Sequence, residues 1–357
     1  MTTIYDINLQ LFATLANGAN ATVASGSMGA LNAQGAYNAP NADLSPELKT
    51  FYDMTLIDEA QAQLVHDQFG QKRPIPANGG KTIEFRKFHS YEKATTPLEE
   101  GVTPPGKALK VSAITATVEQ YGDYTMLSDV LDLTAIDNVV VETTKNHGRQ
   151  AGLTLDTVVR NVLQSGTRVK YCPSAAAPTT EITSRANLKA DSQLTVDMIM
   201  QVVADFRASN APTIGGKYVA IVHPYVAYDL MRDPEWIDAH KYTNVENIYA
   251  GELGEIAGVR FVQSSEAKVY TGEGCPDGLG VFGTLFLADG AYGVTEITGG
   301  GLQTIVKQKG SAGTADPLDQ RSTVGWKAIK TAEILVEDYI IRVESCSSKF
   351  SGTVAAN

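Results

Sequence analysis

Five histidines, three cysteines and two glycine-rich stretches are the places where this chain could do chemistry. His66, His89, His147, His223 and His240 never pair at the spacing that places two imidazoles on one metal ion. His223 stands at the end of an apolar run and before Pro224, where a structural imidazole held by hydrogen bonds is the expected role. Cys172, Cys275 and Cys346 are odd in number and form no C-x-x-C pair, which signals neither a disulfide framework nor a cysteine zinc site. "GGKT" at Gly79–Thr82 has the end of a phosphate-binding loop, but that loop needs a glycine where Ile75 stands, and a strand pattern follows instead of a helix. "GEGCPDG" at Gly272–Gly278 lacks the third glycine of a dinucleotide fingerprint. Asp129 and Asp132 could share a metal, yet their spacing equally suits acids in the first turn of a helix. Glu99 and Glu100 fall in a Gly- and Pro-rich bend and are expected to be solvated; no G-x-S-x-G is present. No catalytic residue, cofactor site or metal ligand is expected, and the chain does not read as an enzyme.

The charged residues carry a different signal. The 357 residues include 29 basic and 40 acidic side chains, a net charge of −11, which argues against a dedicated nucleic-acid binder. Between Gln71 and Lys110, however, eight basic residues (Lys72, Arg73, Lys81, Arg86, Lys87, Lys93, Lys107, Lys110) face four acidic ones, so this stretch is +4 and the rest of the chain −15. The +4 stretch lies within a hairpin-like region from about Gln71 to Met126, whose limbs alternate: Ile83 and Phe85 on an outgoing limb, Ile114, Ala116 and Val118 on a return limb, with Gly101, Pro104, Pro105 and Gly106 between them. A two-stranded ribbon with so few large apolar side chains is marginal in water and must lie on something else. Three readings follow: a strap on the acidic body of a neighbouring copy, with Arg73, Lys81, Arg86, Lys87 and Lys107 as inter-subunit contacts; a solvated basic surface; or a nucleic-acid-binding module acting through hairpin 71–110, since Phe85, Phe88 and Tyr91 interleave with Arg86 and Lys87.

The elements that must carry this ribbon can be read from spacing. Between Ala13 and Asp43, 19 of 31 residues are Ala, Asn or Gly, too little apolar surface to fold alone, so residues 1–45 read as an arm. Its first residues carry no Lys or Arg before a short apolar patch, a poor secretory signal, and no apolar run approaches the ~20 residues needed to cross a bilayer. A cytoplasmic protein made without a membrane anchor is expected. Ser45 and Pro46 open a helix expected to end at Gly70, with Leu48, Phe51, Ala60, Leu64 and Val65 at helical spacing. Asp129–Leu163 reads as helix, most clearly from Asp137 onward. Ala151, Leu155, Val158, Val159 and Val162 make one stripe, Asp156 and Arg160 can pair one turn apart, and Gly148 and Gly152 are possible bends.

From Leu194 to Lys309 a small α/β unit follows, with Ile199, Val202, Val203 and Phe206 on one helix face and the buried strand "YVAIV" before His223. Further strands are expected at "VRFVQ", at "TLFLA" and beyond Arg321. Without a regular β-α-β repeat, the class is α+β, not a TIM barrel or a Rossmann fold. An arm and a ribbon that cannot fold alone, on a compact body, describe a protein completed by other copies of itself.

Taken in order, "NLQLFA" at Asn8, "SPELKTFYD" at Ser45, "HDQFGQKRPIP" at His66, "GGKTIEFRKF" at Gly79, "TPLEEGVTP" at Thr96, "LSDVLDLTAIDNVV" at Leu127, "HPYVAYDLMRDPEWID" at His223, "GEIAGVRFVQSSEAK" at Gly254 and "STVGWKAIKTAEIL" at Ser322 cover most of the chain. Together they resemble the N-four-type major capsid proteins of tailed bacteriophages, which have the Hong Kong 97-like capsid fold. The resemblance implies an N-terminal arm (1–45), an N-terminal helix (46–70), an extended E-loop hairpin (71–126), a P-domain with a long spine helix (127–193), an A-domain (194–310) and returning P-domain strands (311–357). It implies self-assembly through pentamers and hexamers into an icosahedral virion shell around double-stranded DNA held by non-specific proximity. It further implies a portal protein and assembly in the host cytoplasm. Some members carry a long N-terminal scaffolding domain; the arm here is too short for one, which implies a separate scaffolding protein. Some members cross-link their subunits, and no motif here carries those residues over.

Overall fold

The computed structural model describes residues 46–349, apart from 62–63, 89–90, 92, 98–99, 102, 104–105, 136–137, 241–253, 273 and 312–315. The expected arm, the Ser45 cap, His89, Glu99 and the helix start at Asp137 lie outside the described residues. In chain order the elements are α1 (Pro46–Gln61), β1 (Gln71–Lys72), β2 (Thr82–Phe88), β3 (Val111–Thr117), β4 (Glu119–Ser128), α2 (Asp129–Thr134), α3 (Val139–Leu163), β5 (Val169–Tyr171), α4 (Val196–Ala208), β6 (Tyr218–Val222), α5 (Pro224–Met231), α6 (Pro234–His240), β7 (Glu255–Ile256), β8 (Val259–Gln263), β9 (Val269–Tyr270), β10 (Val281–Leu287), β11 (Tyr292–Thr295), β12 (Gln303–Lys307), β13 (Arg321–Ile334) and β14 (Ile340–Ser345). They form two compact units, the first within Met1–Gln63, Gln120–Gly152 and Gly300–Ala328, the second from the remainder.

In the first unit β13 lies between β12 and β4, with Ile305 opposite Gly325 on one side and Tyr124 against Gly325 on the other. Alternation turns Val324 and Trp326 inward, where both are buried. The Trp326 indole N–H donates to Gln150 Oε1 at 3.3 Å, and the Gln150 amide donates to Asp123 Oδ2 at 2.6 Å. His147 joins Thr125 Oγ1 and Gln150 Oε1, each at 3.0 Å. Asp123 and Thr125 therefore face α3, and its hydrogen bond from Gln150 holds the Asp123 carboxyl below its usual range.

Three helical expectations change here. The helix read as continuous from Asp129 is two: Ser128 Oγ accepts the Leu131 N–H and starts α2, which stops at Ala135 because that residue is extended (φ −69°, ψ 138°). Second, Gly148 does not break α3. A Cβ there would sit 2.8 Å from the Leu56 carbonyl oxygen, so glycine is what lets α1 lie close against α3. In turn α1 ends at Gln61, not Gly70, and residues 66–69 form a turn. Leu56 and Ala60 are buried as their spacing requires, and Leu64 and Val65 lie beyond the helix.

The second unit is built on a sheet of order β5-β14-β10-β6-β8-β7, with β9 also on β10. Both β6 and β10 are buried along their whole length, as the apolar run of β6 implies, and β10 begins at Val281, ahead of the expected "TLFLA". Their alternate residues serve two cores. Ala220, Val222, Phe282 and Phe286 pack with Ile199, Val202, Val203 and Phe206 of α4, whose first turn is capped by Thr195. On the other face Ile221, Leu285 and Leu287 pack with Val159 and Leu163 of α3 and with Tyr292 of β11. His223 acts as the cap of α5: its Nδ1 accepts the Tyr225 N–H at 3.1 Å, and burial lowers its pKa to about 4, so the ring is neutral at pH 7.

Candidate assembly site: the basic ribbon and its mount

The ribbon is β2 and β3, antiparallel over seven pairs from Thr82–Thr117 to Phe88–Val111, about 24 Å of paired strand. Directly opposed residues share a face. Ile83–Ala116, Phe85–Ile114 and Lys87–Ser112 line one face, all buried or half-buried; Thr82–Thr117, Glu84–Thr115 and Arg86–Ala113 line the other, all exposed. The alternation expected from sequence is thus present, and it sorts the ribbon into a covered apolar row and an open polar row.

The covered row rests on β11. Phe85 is 3% exposed, and a Cβ on Gly293 would stand 2.7 Å from its ring, so the ring occupies the space a side chain would fill. Sequence had required the ribbon to lie on something; at its base that something is its own chain. Gly293→Val should unseat Phe85 at a cost of about 1–3 kcal/mol. Trypsin cleavage at Lys81, Arg86 and Lys87 should then accelerate severalfold, and an unchanged rate would show that the ring is not anchored there.

The mount beneath Gly293 is polar and buried. Asp156 and His66 are both fully buried, with His66 Nδ1 2.7 Å from Asp156 Oδ2. Asp156 Oδ1 also accepts the backbone N–H groups of Val65 at 2.8 Å and His66 at 2.7 Å. The Tyr292 hydroxyl, its pKa pushed up by burial, donates to the His66 carbonyl. From there β1 pairs in parallel with β11, Gln71 opposite Gly293, and leads toward the ribbon. Asp156 and Arg160 do not form the one-turn ion pair that their spacing allows. Asp156 is saturated by donors from residues 65 and 66, and Arg160 donates from Nη1 to the Glu266 carbonyl at 2.6 Å, with the Glu266 carboxylate at 3.7 Å. Nothing in the sequence near Asp156 announces a partner some 90 residues away.

The five basic residues proposed as contacts are distributed along the ribbon and do not converge. Arg73 is exposed at the base, its guanidinium 5.9 Å from the Phe85 ring. Lys81 is exposed at the first residue before β2, where its carbonyl accepts the Val118 N–H at 3.0 Å. Arg86 stands on the open row with Glu84 at 3.1 Å, both well exposed. Lys87 is half-buried on the opposite row, and Lys107 is exposed in the connection between the strands. Phe85 cannot stack on a base while seated on Gly293, which removes the central aromatic from the nucleic-acid reading; Tyr91 is exposed, and the Phe88 side chain lies outside the described residues.

Elsewhere several charged residues are tied into the fold by ion pairs. Glu344, fully buried, accepts two hydrogen bonds from Arg185 at 2.6 Å and one from Arg342 at 2.9 Å. Arg185 also lies 3.6 Å over the Tyr270 ring, and its pKa is raised by the bonds to Glu344. Asp132 is paired with Lys309 at 2.8 Å. All three cysteines are free thiols; burial raises the pKa of Cys346 to about 12 and that of Cys275 above its usual value. Among the described residues no three His, Cys, Asp or Glu side chains could hold a metal, and no helix is long and apolar enough to cross a membrane.

An α+β body with a long helix, two cores and a two-stranded ribbon is the Hong Kong 97-like architecture of shell-building proteins, and the comparisons agree. The family model described as phage capsid protein matches residues 111–340, and the chain belongs to that family. It is a shell-forming capsid protein, and its place is in the capsid of a virion. Its fold is similar to the capsid subunit of cyanophage Pam1 (TM-score 0.63, 12% identity, 90% of this chain and 99% of that one). Capsid structures of cyanophage P-SCSP1u (TM-score 0.61, 14% identity, 78% and 87%) and Ralstonia phage GP4 (TM-score 0.59, 14% identity, 82% and 90%) are similar too. None of the curated proteins matches the chain.

Proposed function

We propose that the chain is the major capsid protein of a tailed bacteriophage, assembling through pentamers and hexamers into an icosahedral head around double-stranded DNA. Assembly takes place in the host cytoplasm with a separate scaffolding protein and a portal protein, and the DNA is enclosed by proximity alone, since the chain is acidic overall. In this reading 71–126 is the E-loop, 127–193 with 311–357 the P-domain, 194–310 the A-domain and 1–45 the arm. The chain does no catalysis.

The observation that carries the reading is the two-sided ribbon: its apolar row is held by its own chain, while its open row and its connection keep Arg86, Lys81 and Lys107 exposed in a protein whose remainder is −15. A ribbon so arranged is a strap for the acidic surface of the next copy. Lys81→Glu with Arg86→Glu should cut the yield of shells about tenfold or more, the equivalent of about 1.4 kcal/mol for the two substitutions together, with unchanged thermal unfolding. Sedimentation and electron microscopy measure the yield. Loss of DNA binding with normal shells would instead favour the nucleic-acid module.

A further inference from the structure

The main sheet of the second unit ends at β5, and a cleft of about 530 Å³ opens beside it. One wall is β5, a second the first turns of α4 and a third the loop of residues 178–182. The covered part of the lining is largely apolar: Met198 is buried, and Val169, Tyr171 and Ile182 are half-buried. Its exposed part carries two carboxylates, Glu181 and Asp197. Lys170, the cation of the lining, is engaged by Asp205 at 2.7 Å. Asp197 holds the Gln201 amide at 2.8 Å, and neither Glu181 nor Asp197 has a cation partner among the described residues. The backbone of β5 adds to this surface. The Arg168 carbonyl and the Cys172 N–H, at its two ends, both bond to β14. In a parallel strand alternate residues bond to one side, so Val169 and Tyr171 turn their N–H and C=O groups away from β14. An apolar cleft with acids on its exposed side and an extended edge along it suits a short extended segment carrying an apolar side chain and a cation.

The ribbon displays such a segment. Residues 106–110 lead into β3, belong to no strand and are all exposed. Among them Leu109 is 53% exposed, and Lys110 follows it. They enter the ribbon at the pair Phe88–Val111, three pairs, or about 10 Å, beyond the Phe85–Ile114 pair that is seated on Gly293. A bare leucine beside a lysine complements an apolar cleft beside two carboxylates. In a shell of identical chains every copy brings both halves, and a contact between two different surfaces is one that propagates from copy to copy.

We infer that residues 106–110 of one copy dock in the β5–α4 cleft of the next, with Leu109 against the apolar lining and Lys110 facing Glu181 and Asp197. The inference rests on the strap reading of the ribbon and deepens it, by naming the surface of the neighbouring body that the strap reaches.

Zero-length coupling tests it in the natural chain. Unlabelled protein and protein labelled with heavy nitrogen are assembled together, treated with a water-soluble carbodiimide, which joins an amine to a carboxylate that it already touches, and digested for mass spectrometry. A Lys110–Glu181 or Lys110–Asp197 amide with one light and one heavy half is expected in shells and is lost from dilute, unassembled chains. Shells in which Lys110 is joined only to other carboxylates, or to none, would overturn the cleft as the docking site and leave the strap reading standing. The expected amides without mixed-label pairs would overturn the second copy as the occupant. Chains that form no shells at all would overturn the strap reading and this inference with it. Charge exchange gives an independent readout, since both side chains are exposed. Lys110→Glu and Glu181→Lys should each lower the yield of shells severalfold, and the two together should recover it to within about twofold. Losses that simply multiply would overturn the pairing.

Discussion

Asp156→Ala should lower the unfolding free energy by about 3–5 kcal/mol, the scale expected when a buried carboxylate is taken away from the hydrogen-bond donors it satisfies. Three donors lose their acceptor at once: the His66 ring at 2.7 Å and the N–H groups of Val65 and His66. None of the three can turn to water, because His66 is fully buried and the backbone groups are fixed by the turn that follows α1. The damage should extend to assembly, since His66 also receives the Tyr292 hydroxyl, and Tyr292 is next to the glycine that seats Phe85. Shells should therefore fail to form even below the unfolding midpoint. Asp156→Asn, which keeps an oxygen for the backbone donors, should recover roughly half of the loss. Urea unfolding reads both, and a shift of less than about 1 kcal/mol for the alanine variant would mean that the mount is not held by this carboxylate.

Glu344→Ala should cost a similar amount, about 3–5 kcal/mol, for a different reason. The carboxylate is the shared acceptor of two arginines, so its loss leaves the guanidinium groups of Arg185 and Arg342 without the negative charge between them, with Arg185 still stacked on Tyr270 and Arg342 still donating to the Gln164 carbonyl. Exchanging Glu344 and Arg185 together for Met should restore much of the stability, because a buried pair replaced by apolar side chains is often neutral. A double variant as unstable as the single one would place the cost in lost volume, not in unpaired charge.

The parts of the fold that were legible in sequence are those whose cause is local. Ile199, Val202, Val203 and Phe206 recur at helical spacing and share one buried face because the period itself encodes that face. Ile83 and Phe85 alternate and form the covered row of the ribbon for the same reason. His223 at the end of an apolar run and before Pro224 suited a structural imidazole held by hydrogen bonds, and the ring does accept one as the cap of α5. What was not legible depends on residues far apart in the chain. The i, i+4 spacing of Asp156 and Arg160 offered a pair, but two backbone N–H groups and an imidazole from residues 65–66 took the carboxylate. Gly148 looked like a flaw in a helix, and Gly293 drew no attention. Each is glycine because another element, the α1 backbone or the Phe85 ring, occupies the place of its side chain. Of the five basic residues chosen for contact, the net charge of the stretch was readable, whereas the row on which each one stands was not: Arg86 and Lys87 are neighbours in sequence and point to opposite faces.

The division of the ribbon into two rows has a consequence for how a shell could grow. The side chains able to make a strong, water-excluding contact, Ile83, Phe85 and Ile114, are already engaged or half-covered within the chain, and the outward row consists of hydroxyls, a methyl and one Glu–Arg pair. Contacts made by such a row are individually weak and sensitive to salt. If ribbons lie on neighbouring copies, as proposed, a subunit that arrives in the wrong orientation can leave again, and the lattice can be proofread while it forms. Permanence would then come from the number of straps closed around the completed shell, not from the grip of any single one.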